Sequence, residues 1–193
     1  MGVDIRLRDD GDRDALVRLL CKQQPVSGYP VRWPLPGPVE GFIFRDHDEI
    51  AWVACHGDEI VGHVAVGRTS AELDDVFVPV LGVPGESLRV VTTLFTAPRM
   101  QGRGVCGRLL RTAEQYIEAG APTGVLDVVP THERAFAMYL RRGWQVVAQR
   151  RPAWQPADAP DFRYLVLRRQ LPPSCVQVHP GALARKAEGT SAS

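Results

Sequence analysis

L-F-T-A-P-R-M-Q-G-R-G-V-C-G-R-L-L, residues 94–110, decides how the rest of this chain is read. An apolar run over residues 90–95 leads into it and reads as a buried strand. Pro98 ends that strand, because proline has no N–H to give a sheet ladder. Gly102, Gly104 and Gly107 follow, interleaved with Arg103 and Arg108, and helix-forming sequence begins at once. Strand, glycine-rich turn and helix start make a phosphate cradle. Glycines let the backbone approach an anion, and the N–H groups of the first helical turn point at it.

Working outward, residues 3–7 (V-D-I-R-L) alternate apolar and charged and read as a strand. Asp9 or Asp12 can cap the next segment, where Ala15, Leu16, Leu19 and Leu20 recur at helical spacing. Residues 23–41 hold five prolines with Tyr29 and Trp33, which predicts an irregular loop; aromatic side chains there could wall an acceptor pocket. Residues 50–55 and 60–67 read as a hairpin around the turn-rich H-G-D-E. Residues 71–79 read as a loop with some strand or a helical turn. After the cradle, Val105, Leu109, Leu110, Ala113 and Ile117 mark one helical face, closed by Gly120. Residues 125–129 read as a strand, Thr131 as the N-cap of a second helix ending at Gly143, and residues 144–148 and 162–167 as two further strands. Residues 1–171 are expected to form one domain. Residues 172–193, rich in Pro, Ser, Ala and Gly, are expected to be a flexible tail.

Bulk properties narrow the function classes. With 193 residues, 45% hydrophobic and 23% charged, one domain with a real core is expected. A net charge of +1 provides no general field for nucleic acid or an acidic membrane, so any anion site is local. Cys21, Cys55, Cys106 and Cys175 fit no metal or redox spacing, so no metal is expected and reduced thiols in a cytoplasmic protein are. No stretch is long and apolar enough for a membrane helix or a signal peptide, and Arg6 breaks the myristoylation pattern.

Gly102, Gly104 and Gly107 also spell G-x-G-x-x-G, with Asp127 downstream as a ribose-binding acid would be, which admits a dinucleotide-dependent oxidoreductase. Residues 97–101 count against it, because the fingerprint's first glycine should follow its strand directly. The neighbouring residues favour another family. The stretch resembles motif A of the GCN5-related N-acetyltransferases (the GNAT superfamily), whose Q/R-x-x-G-x-G/A signature is matched by Gln101, Gly104 and Cys106. L-D-V-V-P-T-H-E-R-A-F-A-M-Y-L-R-R-G-W, residues 126–144, is similar to the family's next block. Cys106 stands where Gly or Ala is usual, His132 where Asn is usual, and Thr96 where Val is commoner.

The resemblance implies a mixed α/β fold: a mostly antiparallel sheet with a splayed strand pair, flanked by helices. It implies acetyl-CoA as co-substrate and an N-acetyltransferase acting on a small-molecule amine. The diphosphate would lie on Gln101, Gly102, Arg103, Gly104, Val105, Cys106, Gly107 and Arg108, with His132 nearby. Leu94, Phe95 and Thr96 would bond the pantetheine arm like an added strand. Tyr139 matches the family's general acid, and Asp127 is similar in its spacing to the acidic base of ribosomal-protein alanine N-acetyltransferases. Tyr29, Trp33 and His63 are candidate acceptor contacts, His63 also as an alternative base. The polar run Asp46, His47, Asp48 and Glu49 could meet a cationic acceptor. The resemblance also admits a homodimer, and a non-catalytic module that senses or carries acyl-CoA.

Overall fold

Strand β1 (Asp4–Leu7) pairs antiparallel with β2 (Asp48–His56), and β2 forms a hairpin with β3 (Glu59–Gly67). β3 pairs antiparallel with β4 (Leu88–Thr96), and β4 pairs in parallel with β5 (Thr123–Val128). The sheet closes with β7 (Phe162–Leu167) beside β5 and β6 (Trp144–Arg150) at the edge, both antiparallel. The seven-stranded order is β1-β2-β3-β4-β5-β7-β6. The structure is a computed structural model that describes residues 2–120 and 122–167; the expected tail, Cys175 and residues 168–171 lie outside them.

Among the described residues five α-helices accompany the sheet: α1 (Arg13–Ser27), α2 (Val39–Ile43), α3 (Ala71–Leu81), α4 (Val105–Gly120) and α5 (Glu133–Arg141). The apolar stripe of α4 is buried, as its spacing requires: Val105, Leu109, Leu110, Ala113 and Ile117. Burying each large apolar side chain stabilises the fold by roughly 1.5–3 kcal/mol. Gly62 lets α4 lie close to β3, since a Cβ there would sit 2.9 Å from Leu109 and 3.0 Å from Thr96. Strand alternation splits β5 between two faces. Leu126 and Val128 pack with Leu109, Tyr139 and Trp144. Val125 packs on the other face with Val76, Phe77 and Leu81 of α3. Asp127 shares that second face, opposite Tyr164 of β7.

Three expectations are corrected. Residues 71–79 are neither loop nor strand; the helical-turn alternative extends to nearly all of α3, capped by Ser70, whose side chain accepts the Leu73 N–H. Its V-F-V-P-V run reads as strand in isolation, but burial of Val76, Phe77 and Leu81 against β4, β5 and β7 overrides that propensity. The irregular stretch begins at Gly28 rather than residue 23. α1 passes through Pro25, whose ring fits a helical φ, and ends at Gly28, φ 72°, whose N–H meets Gln24 O at 2.7 Å. The N-cap of α5 is His132, not Thr131, because the chain first turns through a His132 N–H to Val129 O bond of 3.1 Å.

Candidate active site

The parallel pairing of β4 with β5 runs only from Leu88↔Thr123 to Val90↔Val125. Past Val90, β4 continues to Thr96 with its β5-facing edge outside that ladder, so the two strands diverge and leave a gap. In the same stretch β4 carries a bulge. β3 advances from His63 to Ala65 while β4 runs from Phe95 back to Thr92, one residue more. Thr93 takes the strain, with φ 49°, the one left-handed non-glycine among the described residues.

Beyond β4, a short 3-10 turn at Pro98–Met100 carries the chain to Gln101. Gly102 and Gly104 have φ of 76° and 75°, which a side chain would strain. The first helical bond of α4 is Arg108 N–H to Gly104 O, 3.0 Å, so the N–H groups of Val105, Cys106 and Gly107 lead the helix with no carbonyl behind them. A Cβ at Gly102, Gly104 or Gly107 would meet nothing within 4 Å. Arg103 and Arg108 are exposed and have no carboxylate partner among the described residues, whereas Arg99 is paired with Glu59. Open space, free donors and uncommitted cations in one loop fit the diphosphate of an acyl-coenzyme A. Cys106 turns its thiol back toward Thr96 Oγ1, 3.7 Å away, so its side chain packs against β4. Of the strand residues, Phe95 is buried while Leu94 and Thr96 are half-buried.

Tyr139 of α5 and Asp127 of β5 come from different elements and opposite faces of β5, near enough for the Asp127 charge to act on the Tyr139 phenol. Burial pushes the Tyr139 phenol above its usual range, and the charges of Cys106, Tyr29 and Asp127 add to that. Tyr139 itself is buried, 8% exposed, and no hydrogen bond from its hydroxyl is formed among the described residues. Asp127 is exposed by surface area, yet protein crowds its carboxyl from the sides. That crowding raises its carboxyl above the ordinary range, with the Arg45 charge pulling the other way. Tyr29 is half-buried between the Phe42 and His132 rings, 6.0 Å from each, and burial pushes its hydroxyl up to about 12. His132 faces the carbonyls of Ser27 and Gly28, and burial lowers its basicity. Trp33 stands apart from this group. It lines a cavity of about 410 Å³ with Arg32, Val129, Thr131, Trp154 and Pro160.

The profile of the acetyltransferase (GNAT) family matches residues 14–144. The chain belongs to the GNAT family. No curated protein matches it by sequence. Solved structures share the fold at low identity. The ribosomal-protein-S18-alanine N-acetyltransferase of Escherichia coli has 13% identity and a TM-score of 0.61, covering 86% of this chain and 93% of its own. Arabidopsis thaliana NAA60, solved with a bisubstrate analogue, has 17% identity and a TM-score of 0.63, covering 86% and 96%. The PaiA N-acetyltransferase of Thermoplasma acidophilum, solved with coenzyme A, has 14% and 0.58, covering 86% and 98%. In this GNAT-family chain the G-x-G-x-x-G is set off from its strand by the 3-10 turn, unlike a dinucleotide fingerprint, so the oxidoreductase reading loses its support.

His63 lies away from any surface of this GNAT domain. It is fully buried, with Nδ1 2.9 Å from Thr93 O and Nε2 3.2 Å from Arg8 Nη1. Burial pushes it down to about 3, the Thr93 bond opposing and the Arg8 and Arg45 charges adding. Two members of the polar run are tied up internally, Asp48 with Arg8 at 3.4 Å and Glu49 with Arg89 at 2.6 Å. Sequence reasoning missed Glu114, buried on α4, which accepts from Arg142 Nε at 3.0 Å and from Trp144 Nε1 at 2.9 Å. It ties α4 to the end of α5, and Trp144 in turn packs edge-on against Tyr139, 6.3 Å away. The available signal was a carboxylate set inside the apolar stripe between Ala113 and Ile117. Among the described residues no group of His, Cys, Asp or Glu is placed to hold a metal ion, and no helix is long and apolar enough to cross a membrane.

Proposed function

We propose that this protein transfers an acetyl group from acetyl-CoA to the primary amine of a small molecule. The observation that carries this reading is the divergence of β4 from β5 after Val90, followed directly by the glycine cradle with its open space and free N–H groups. The coenzyme supplies an activated thioester. The N–H groups of Gly102, Gly104, Val105, Cys106 and Gly107, with the side chains of Arg103 and Arg108, would hold its diphosphate. The free edge of β4 at Leu94, Phe95 and Thr96 would bond its pantetheine arm as a strand is bonded. An N–H near Phe95 or Thr96 would face the negative charge developing on the carbonyl oxygen. Tyr139, kept protonated by its burial, would give a proton to the departing sulfur. Asp127, its basicity raised by crowding, would take a proton from the acceptor ammonium, through water because the side chain is short.

The cavity beside Trp33 supports a small acceptor. Val129 lies two residues past Asp127, about 7 Å along the chain, so an amine at Asp127 could rest its body there. About 410 Å³ suits a small ligand. Trp33 and Trp154 give it apolar walls, and among the described residues Arg32, 5.4 Å over the Trp154 ring, is the only charged one lining it. A polycation finds no carboxylate in that lining, which favours an acceptor with an apolar body. The test is thiol release from acetyl-CoA across a panel of arylalkylamines, polyamines and peptides. Tyr139→Phe is expected to lower kcat by about 10²-fold or more with coenzyme affinity nearly unchanged. An equal loss of coenzyme binding would refute the acid role.

A further inference from the structure

We propose that His63, braced by Arg8, is a positioning residue for acyl transfer: it holds the Thr93 carbonyl so that the β4 bulge presents the N–H groups just after it to the thioester. The proposal rests on the acyl-transfer reading above. A bulge residue leaves the sheet ladder, so its peptide groups need other partners. Thr93 finds one in a side chain: its carbonyl accepts from His63 Nδ1 at 2.9 Å. The tautomer follows from Arg8. A guanidinium only donates, so Nε2, 3.2 Å from Arg8 Nη1, must accept, and the proton sits on Nδ1 facing Thr93. The ring cannot swing away, because it is fully buried and packed against Phe95 at 5.4 Å.

Arg8 is itself fixed. It donates to Ile43 O at 2.7 Å, pairs with Asp48 at 3.4 Å, and lies 4.1 Å over the Phe44 ring. A relay thus runs from the segment after β1, through β3, to the left-handed residue of β4. Residues 94–96, directly past Thr93, are those assigned above to the pantetheine arm and the carbonyl oxygen. A strained φ persists only when its surroundings enforce it. Loosening this relay lets the bulge relax, and a misplacement of about 1 Å at a reacting centre can cost about 10²-fold in rate.

The test compares His63→Asn, His63→Gln and His63→Leu with the wild type. An asparagine carboxamide can place an N–H near the Nδ1 position; glutamine reaches the Nε2 position and faces Arg8 instead. Acetyl-CoA turnover, coenzyme A affinity by calorimetry and amide hydrogen exchange are measured on each. His63→Gln and His63→Leu are expected to lose about 10²-fold in kcat, with coenzyme affinity within about threefold and faster exchange at residues 93–96. His63→Asn is expected to regain most of both. If Asn and Gln behave alike, or if Gln exchanges and turns over like the wild type, the proposal is overturned. The Asn–Gln contrast decides the matter even where His63→Leu fails to fold. A wild-type protein that binds coenzyme A but acetylates no amine would sink the acyl-transfer reading alone. Faster exchange in Gln but not in Asn would still support the relay.

Discussion

Acid is expected to unfold this protein through His63. The folded ring stays neutral down to about 3, because burial disfavours its charged form and the neighbouring charges of Arg8 and Arg45 add to that. The Thr93 carbonyl and Asp12 pull the other way and lose. In the unfolded chain the ring titrates near its ordinary value of 6.5. Above that value neither state takes the proton, and His63 gives no pH dependence. Below it, the unfolded state binds a proton that the folded state refuses, so stability falls as pH falls. At 1.36 kcal/mol per pH unit, the loss is about 2 kcal/mol at pH 5 and roughly 5 kcal/mol once the pH is below both values. Urea unfolding of the wild type and His63→Asn at pH 7.5 and pH 5.0 isolates this contribution, because every other titrating group is common to both. The wild type should lose about 2 kcal/mol more than the variant between the two conditions. Equal losses would refute the assignment of a neutral, sealed His63.

Three further substitutions test the site. Gly107→Val adds a side chain where a Cβ meets open space, so Tm should hold while coenzyme A affinity falls by about tenfold or more; unchanged affinity by calorimetry would remove Gly107 from the cradle. Crowding raises Asp127 above 3.8, so its ionisation is disfavoured by folding and stability declines as pH rises from that value through the raised one. Asp127→Asn should therefore be no less stable at pH 7, yet lose about 10²-fold in turnover together with the acidic limb of its pH–rate profile. A retained limb would assign the base elsewhere. Glu114→Ala leaves the Arg142 guanidinium and the Trp144 N–H unpaired, at a cost of about 3 kcal/mol by urea unfolding; a loss under about 1 kcal/mol would show that the pair does not hold α5 in place.

The legible parts of the fold were those with a local cause. The β2–β3 hairpin follows from two apolar runs flanking a turn at Gly57, φ 62°, and α4 from an apolar stripe with a glycine at each end. The illegible parts were decided by burial against distant strands. α3 carries β-branched residues and a proline, and it is a helix because Phe77 and Tyr164 pack edge-on at 5.7 Å. His63 looked like a strand histidine near a pocket. Its partners, Arg8 and Thr93, lie far from it along the chain, and no spacing rule connects them.

What the sequence alone determined is the backbone of the cradle. Pro98, Gly102, Gly104 and the helix start dictate main-chain conformation within a few bonds, so the free N–H groups of Val105, Cys106 and Gly107 are a local consequence. What only the tertiary structure decided is where the side chains meet. β5 leaves β4 after Val90, the charges of Asp127 and Tyr29 reach Tyr139 from separate elements, and the β4 bulge is held by groups from β3 and the segment after β1. Turn geometry is governed by the residues in the turn, whereas convergence depends on strand order and register, which are set by the packing of the whole sheet.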